Sequence, residues 1–545
     1  MIGHLIRAFA LLALLAAAPA AAKAPQKPKL IVTLVVDQFA ADLFRQYRPT
    51  YTGGLERLSE GVAYLEGYQS HAATETCPGH STILTGRHPA ATGIIANNWY
   101  DRASGKSLYC VALPNGDPDV RGPRNLRVDT LGSWLKASER TAQVVGVSGK
   151  DRGAIMLAGH HPDAVFWWQD GKGFVTSPAA GPADAAAIAP AEEFDRATFA
   201  AWNAAAPALW PAQVPDRCRA LEKSERFGEI THNERVPPEG SAVAPADKAF
   251  ADQLRASPML DLLTLDYAAR LVDLRRLGRG ADTDLLAVSL SATDSIGHRY
   301  GKGGPEMCAQ IAVLDRALGA FFARLDALKV PYVVVLTADH GSSDAAERET
   351  SRGVPAGRID GGALIASLNT HLDQAYGPFD HNPVSGSAQN PTIDVGKDPA
   401  FAARVLAEAM SWLKAQQHVV QVLTREEVAA AAPAFGTPPD KLTMAERFHE
   451  SYDPLRSGDL FVVFDEHYRT GVPRKPSDAI AGHGTPWDYD RLVPILFWWP
   501  GVSAETITRP IDSVDIAPTL AAVAGVRTPL LDGRCLSEVA DCPVK

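Results

Sequence analysis

Five stretches of this sequence are too continuously apolar to lie on a surface: "LIVTLVVD" (Leu30 to Asp37), "AQVVGVSGK" (Ala142 to Lys150), "DLLAVSLSATD" (Asp284 to Asp294), "YVVVLTADHG" (Tyr332 to Gly341) and "LVPILFWWPG" (Leu492 to Gly501). A strand half-exposed to water alternates apolar and polar side chains, whereas a strand covered on both faces does not. Helical patterns lie between the runs, among them "TLGSWLKASER" (Thr130 to Arg140) and "EMCAQIAVLDRALGAFFARLDAL" (Glu306 to Leu328). The alternation predicts an α/β fold: a doubly wound, mostly parallel sheet sandwiched by helices. Two stretches break it, at about 154–280, which is Ala/Pro-rich, and at about 345–480, which reads as polar Gly/Pro-rich loops. Both are expected to be long insertions capping one edge of the sheet, where substrate walls usually arise.

In a parallel sheet, ligands bind beyond the carboxyl ends of the strands. There the runs carry polar residues: Asp37 ends the first, Lys150 the second, Asp294 the third, and Asp339 with His340 the fourth. In "SATDSIGHRYG" Asp294 and His298 are one helical turn apart, so both can face one ion. "AGHGTPWD" adds His483 in a Gly-rich loop. Each fragment alone is common in structural roles; three Asp and three His gathered at one edge suit a dinuclear metal site. Thr76 in "TETCPGHS" belongs with that set. It precedes Pro78, which suits a first helical position, and a helix amino terminus favours an anion. A threonine hydroxyl is a poor nucleophile until a divalent metal lowers its pKa.

Composition excludes some roles. Lys and Arg total 53 against 63 Asp and Glu, a net charge of −10 with no basic block, so nothing marks a nucleic-acid surface. Residues 1–22 have the build of a cleavable signal peptide: Arg7, an apolar run from Ala8, then small residues up to Ala22. The run is shorter than a membrane span requires, which predicts a periplasmic or secreted protein without stable membrane association. Residues 23–545 are expected to form a single domain, because residues that look mutually dependent extend from Asp37 to His483. Six cysteines in an exported chain permit disulfides. Cys535 and Cys542 bracket a short loop and are expected to pair; Cys77, Cys110, Cys218 and Cys308 allow three pairings.

The run "TETCPGHSTILTGRHPAATGIIANNWYD", with Asp37, "DSIGH", "ADHG" and "GHGT", resembles the alkaline phosphatase superfamily. It is most similar to exported alkaline phosphatases with a threonine nucleophile, relatives of the nucleotide pyrophosphatase/phosphodiesterases. The resemblance covers the core from about Lys29 to Gly525. It implies an exported phosphomonoesterase working through a covalent phosphothreonine at Thr76, with two Zn²⁺ ions and small phosphate monoesters as substrates. One zinc would be held by Asp294, His298 and His483, and the other by Asp37, Asp339 and His340, with Thr76 attacking from the second side. Asn97, Lys150 and Arg152 would contact phosphoryl oxygens.

Three rival readings remain. A sulfatase needs Cys or Ser where this chain has Thr76, and Arg where it has His80. A phosphodiesterase shares the threonine motif; but a monoester leaves one more oxygen charged, and "KDR" (Lys150 to Arg152) supplies two cations for it. The third reading is a non-catalytic phosphate-binding or metal-binding protein, which the intact nucleophile and ligand set disfavour.

Overall fold

The computed structural model describes residues 25–543 except 114, 115, 118, 119 and 397. The expected signal peptide at 1–22 lies outside the described residues. Ten strands form the main sheet: β1 (Leu30–Val36), β2 (Val62–Tyr68), β3 (Val144–Ser148), β4 (Ala164–Gln169), β5 (Gly173–Val175), β6 (Asp284–Leu290), β7 (Tyr332–Thr337), β8 (Leu492–Trp498), β9 (Glu505–Ile507) and β10 (Ile511–Asp512). The order is β9-β2-β8-β7-β1-β6-β3-β4-β5, with β10 beside β2. Every residue of β1, β6 and β7 is buried. Successive side chains point to opposite faces, so burial of all of them means cover on both. That cover is the physical meaning of the unbroken Val/Leu/Ile runs.

From β7 through β1, β6 and β3 to β4 the strands are parallel. The last apolar run departs from the parallel reading: β8 lies antiparallel to both β7 and β2. Its amino end therefore sits at the edge where its neighbour β7 has its carboxyl end, and the loop entering β8 can deliver His483 to the same edge as Asp339.

The stretch expected outside the sheet from about 154 contributes two of its strands, β4 and β5. Their sequences, "AVFWWQ" and "GFV", are too short and too close to Ala/Pro-rich segments to stand out. The second stretch is more ordered than polar loops. Helices Gly361–Tyr376 and Pro399–Lys414 pack with the antiparallel pair Val419–Thr424 and Leu460–Phe464 around Leu368, Leu372, Val405, Leu413 and Val462. Asp360 and Asp398 cap the two helices by accepting from backbone N–H groups, the usual way of satisfying those donors.

Disulfides join Cys77 to Cys110, Cys218 to Cys308 and Cys535 to Cys542. The last is the expected pair, and the first two settle the open choice. Among the described residues no helix is long and apolar enough to cross a membrane.

Candidate active site

The parallel register builds the floor of the site. β1 and β7 pair from Leu30 opposite Tyr332 to Val35 opposite Thr337, so Asp37 and the Asp339–His340 pair leave neighbouring strands side by side. Asp37, Asp339 and His340 are fully buried, and one ligand atom from each lies within 4.8 Å of the others. The backbone N–H groups of Gln38 and His340 both donate to Asp339 Oδ1, at 3.1 and 3.0 Å. Asp37 Oδ1, Asp339 Oδ2 and His340 Nε2 have no hydrogen-bond partner.

A second group stands beside the first. Asp294 and His298 lie on the helix Ala292–Tyr300 that follows β6, and His483 arrives from the loop before β8. Their ligand atoms also fall within 4.8 Å of one another. His298 Nε2 is 3.3 Å and His483 Nε2 3.4 Å from Asp294 Oδ1, itself without a hydrogen-bond partner.

Backbone carbonyls fix the histidine rings. Nδ1 of His298 donates to Ala481 O, that of His483 to Thr74 O and that of His340 to Gly341 O, at 3.0, 2.8 and 3.0 Å. Holding the Nδ1 proton in this way leaves Nε2 as the ligating atom. Nε2 of His298 and Nε2 of His483 then face each other at 3.2 Å. Two lone pairs at that distance repel unless a cation lies between them.

The charges point the same way. Burial, followed by the nearby charges of Asp294 and Asp339, pushes the Asp37 carboxyl up. Burial works against a charged Asp294, yet Lys150 and His298 hold its pKa well below the usual range. Burial also opposes a charge on His483, but with no cation counted Asp294 outweighs it and raises the imidazole to about 9, so a metal binding here would displace the Nε2 proton. Orphaned acceptors, facing imidazole lone pairs and crowded carboxylates fit bound divalent cations with mixed N/O ligands. Lys150 spans both groups, its Nζ 2.6 Å from Asp37 Oδ2 and 2.5 Å from Asp294 Oδ2. That pairing with ligand carboxylates was not foreseen from sequence.

Thr76 opens the helix Thr76–Ile83, with Glu75 as its N-cap. Pro78 is thus the third helical residue, not the first. The helix runs tight against the end of β7: a Cβ on Gly79 would lie 1.9 Å from Asp339 O, so only glycine lets the backbones meet. His80, buried in the same turn, donates from Nδ1 to Thr76 O at 2.9 Å and lies 3.1 Å from Asp339 Oδ2.

The substrate side converges as well. Arg152 Nη2 is 3.5 Å from Thr76 Oγ1. Asn97 accepts from Cys77 N through Oδ1 at 2.8 Å, and its own N–H donates to Glu75 at 2.7 Å. Thus Lys150 bridges the two ligand groups, Arg152 faces Thr76, and Asn97 stands against the amino end of the Thr76 helix.

Sequence reasoning missed His80, Glu75 and Tyr109. Tyr109 accepts from Arg152 Nη1 at 3.2 Å and donates to Asp151 Oδ1 at 2.6 Å, and the next residue, Cys110, is disulfide-linked to Cys77 beside Thr76. A cysteine adjacent to the candidate nucleophile was the one available signal.

The chain matches the family model for type I phosphodiesterase / nucleotide pyrophosphatase over residues 31–486. It is 39% identical over 527 residues to alkaline phosphatase PhoK of Sphingomonas sp, spanning 94% of this chain and 91% of that protein. The crystal structure of alkaline phosphatase PafA matches with a TM-score of 0.82 at 27% identity, covering 95% of this chain and all of that one. A PafA variant substituted at one Thr, one Asn, one Lys and one Arg matches at 0.79 and 26% identity, covering 95% and 100%. The chain belongs to the type I phosphodiesterase / nucleotide pyrophosphatase family, within the alkaline phosphatase superfamily.

Proposed function

We propose that the protein is an exported, zinc-dependent phosphomonoesterase, a single catalytic unit from residue 23 onward, acting through a covalent phosphothreonine at Thr76. The observation that carries this reading is the placement of Thr76, with Arg152 at 3.5 Å, beside two Asp/His groups that Lys150 bridges. The relatives named alkaline phosphatases support the activity, and the four residue types substituted in the PafA variant are those of Thr76, Asn97, Lys150 and Arg152.

Asp37, Asp339 and His340 would hold one zinc, and Asp294, His298 and His483 the other. Zinc held there would supply Lewis-acid stabilisation of the charge that develops on the reacting oxygens and would lower the pKa of the threonine hydroxyl. Thr76 attacks phosphorus in line, the ester oxygen departs with the electron pair of the broken bond, and water later releases phosphate from the threonine. Asn97 commits Oδ1 to Cys77 N, leaving its amide NH₂ to donate to a phosphoryl oxygen. Arg152 offers a planar fork to two oxygens, and Lys150 a point charge.

The runner-up is a phosphodiesterase of the same family. Steady-state turnover of phenyl phosphate, a methyl diester and a sulfate ester, with metal content measured on the same sample, separates the readings. Monoester preference with at least two zinc per chain supports the phosphatase, and a faster diester reaction overturns it.

A further inference from the structure

A third cluster of metal-type side chains lies outside this site. His88 follows the nucleophile helix, Glu450 ends the helix Met444–His449, and Asp512 caps the turn Ser513–Asp515. Segments more than 360 residues apart in sequence therefore meet. One ligand atom from each lies within 4.8 Å of the others. His88 Nδ1 is 3.4 Å from Glu450 Oε2, and Nε2 is 3.9 Å from Asp512 Oδ2. Ser70 completes the ring: its hydroxyl lies 3.1 Å from His88 Nδ1 and donates to Glu450. Beside the cluster is a cavity of about 310 Å³, lined by His88, Glu450, Asp512, Asp515 and Arg534 among others, with room for water to complete a coordination sphere.

We propose that His88, Glu450 and Asp512 form a third metal site, binding a divalent cation of the zinc class. The donor set decides the class, since an imidazole beside two carboxylates suits zinc or manganese better than the all-oxygen shells of calcium and magnesium. Three carboxylates, Glu450, Asp512 and Asp515, line the cavity wall with one permanent cation, Arg534, and the two imidazoles His88 and His449. The fourth acid there, Asp532, is matched by Arg87 at 3.5 Å and accepts from the His88 backbone N–H at 2.9 Å. A cation here would staple the segment that follows the Thr76 helix to two late segments of the chain. Like other structural sites, it would add stability without joining the chemistry.

The test is zinc content after equilibrium dialysis of the full chain and of Glu450→Gln, with Asp512→Asn as a second variant should the first fail to fold. The expected result is about one zinc per chain fewer in either variant, with phosphatase turnover unchanged and a smaller rise in melting temperature on adding zinc. Because the readout is the difference between chains, it stands whether or not the remaining zinc equals two; only that remainder bears on the catalytic reading. Equal zinc content in wild type and variants overturns the proposal. So does a His88 imidazole whose NMR shifts titrate as those of a proton-only group with zinc present, or a difference between chains seen with Ca²⁺ and not with Zn²⁺.

Discussion

The two ligand groups of the active site are built differently. Asp37, Asp339 and His340 extend from adjacent parallel strands and are fully buried. Asp294, His298 and His483 come from a helix and a loop 185 residues apart, and the His298 side chain is 37% exposed. A group made of strand ends inherits its geometry from the sheet ladder. A group completed by a loop depends on the contacts that hold the loop, here His483 to Thr74 and His298 to Ala481. The strand-end group should therefore be the rigid, slow-exchanging one, and the other the place where metal enters and leaves.

Chelation tests the comparison directly and carries the largest effect. Activity should fall to background, with zinc of the two active-site groups leaving in two phases, the Asp294/His298/His483 equivalent first. Monitoring zinc release alongside turnover should show most activity gone with the first phase, because an in-line displacement needs both oxygens stabilised. A single phase would mean that the two groups share one stability.

Next comes the proposed nucleophile, Thr76, whose helix packs against the strand-end group at Gly79 and Asp339. Thr76→Ala should cost on the order of a thousandfold or more in kcat, as loss of a covalent nucleophile generally does. Thr76→Ser keeps the hydroxyl and should stay substantially active, and rapid acid quench should trap phosphate on residue 76 alone.

Arg152 faces the threonine, and its expected effect is smaller. A charge-assisted hydrogen bond is worth about 1.5–3 kcal/mol, so Arg152→Ala should lower kcat/KM for p-nitrophenyl phosphate by roughly tenfold to a hundredfold. A diester offers that cation less charge and should lose much less. Equal losses would give Arg152 a general supporting role and remove the basis for monoester selectivity.

How much of this was legible in the sequence follows from the same contrast. Asp37, Asp339 and His340 stand at the ends of unmistakable buried runs, so their meeting follows from parallel pairing alone. The helical spacing of Asp294 and His298 was equally plain. His483 could be tied to them only by resemblance, because nothing local in "AGHGTPWD" states that β8 is antiparallel and turns its entry loop toward the site. Strands β4 and β5 were lost in an Ala/Pro-rich stretch for a related reason: short edge elements carry little periodicity. Tyr109 lies in a hairpin with no motif, and its importance is set by Arg152 and Asp151, a tertiary relation that no spacing records.

Tyr109 yields the finest test, because it separates positioning from packing. Its hydroxyl accepts from Arg152 and donates to Asp151, so it fixes where the guanidinium stands without touching substrate. Tyr109→Phe removes that oxygen and keeps the ring, leaving the hairpin and the Cys77–Cys110 link in place. One such hydrogen bond is worth about 1 kcal/mol, which converts to roughly fivefold in rate. Monoester kcat/KM should therefore fall by about that factor, while diester turnover changes less than about twofold. In an Arg152→Ala background the same substitution should have almost no further effect, since residues acting through one contact are not additive. If Tyr109→Phe slows both substrates equally and adds fully to Arg152→Ala, the tyrosine supports the Thr76 helix through its disulfide neighbour, and that helix is held by covalent structure more than by the Arg152 network.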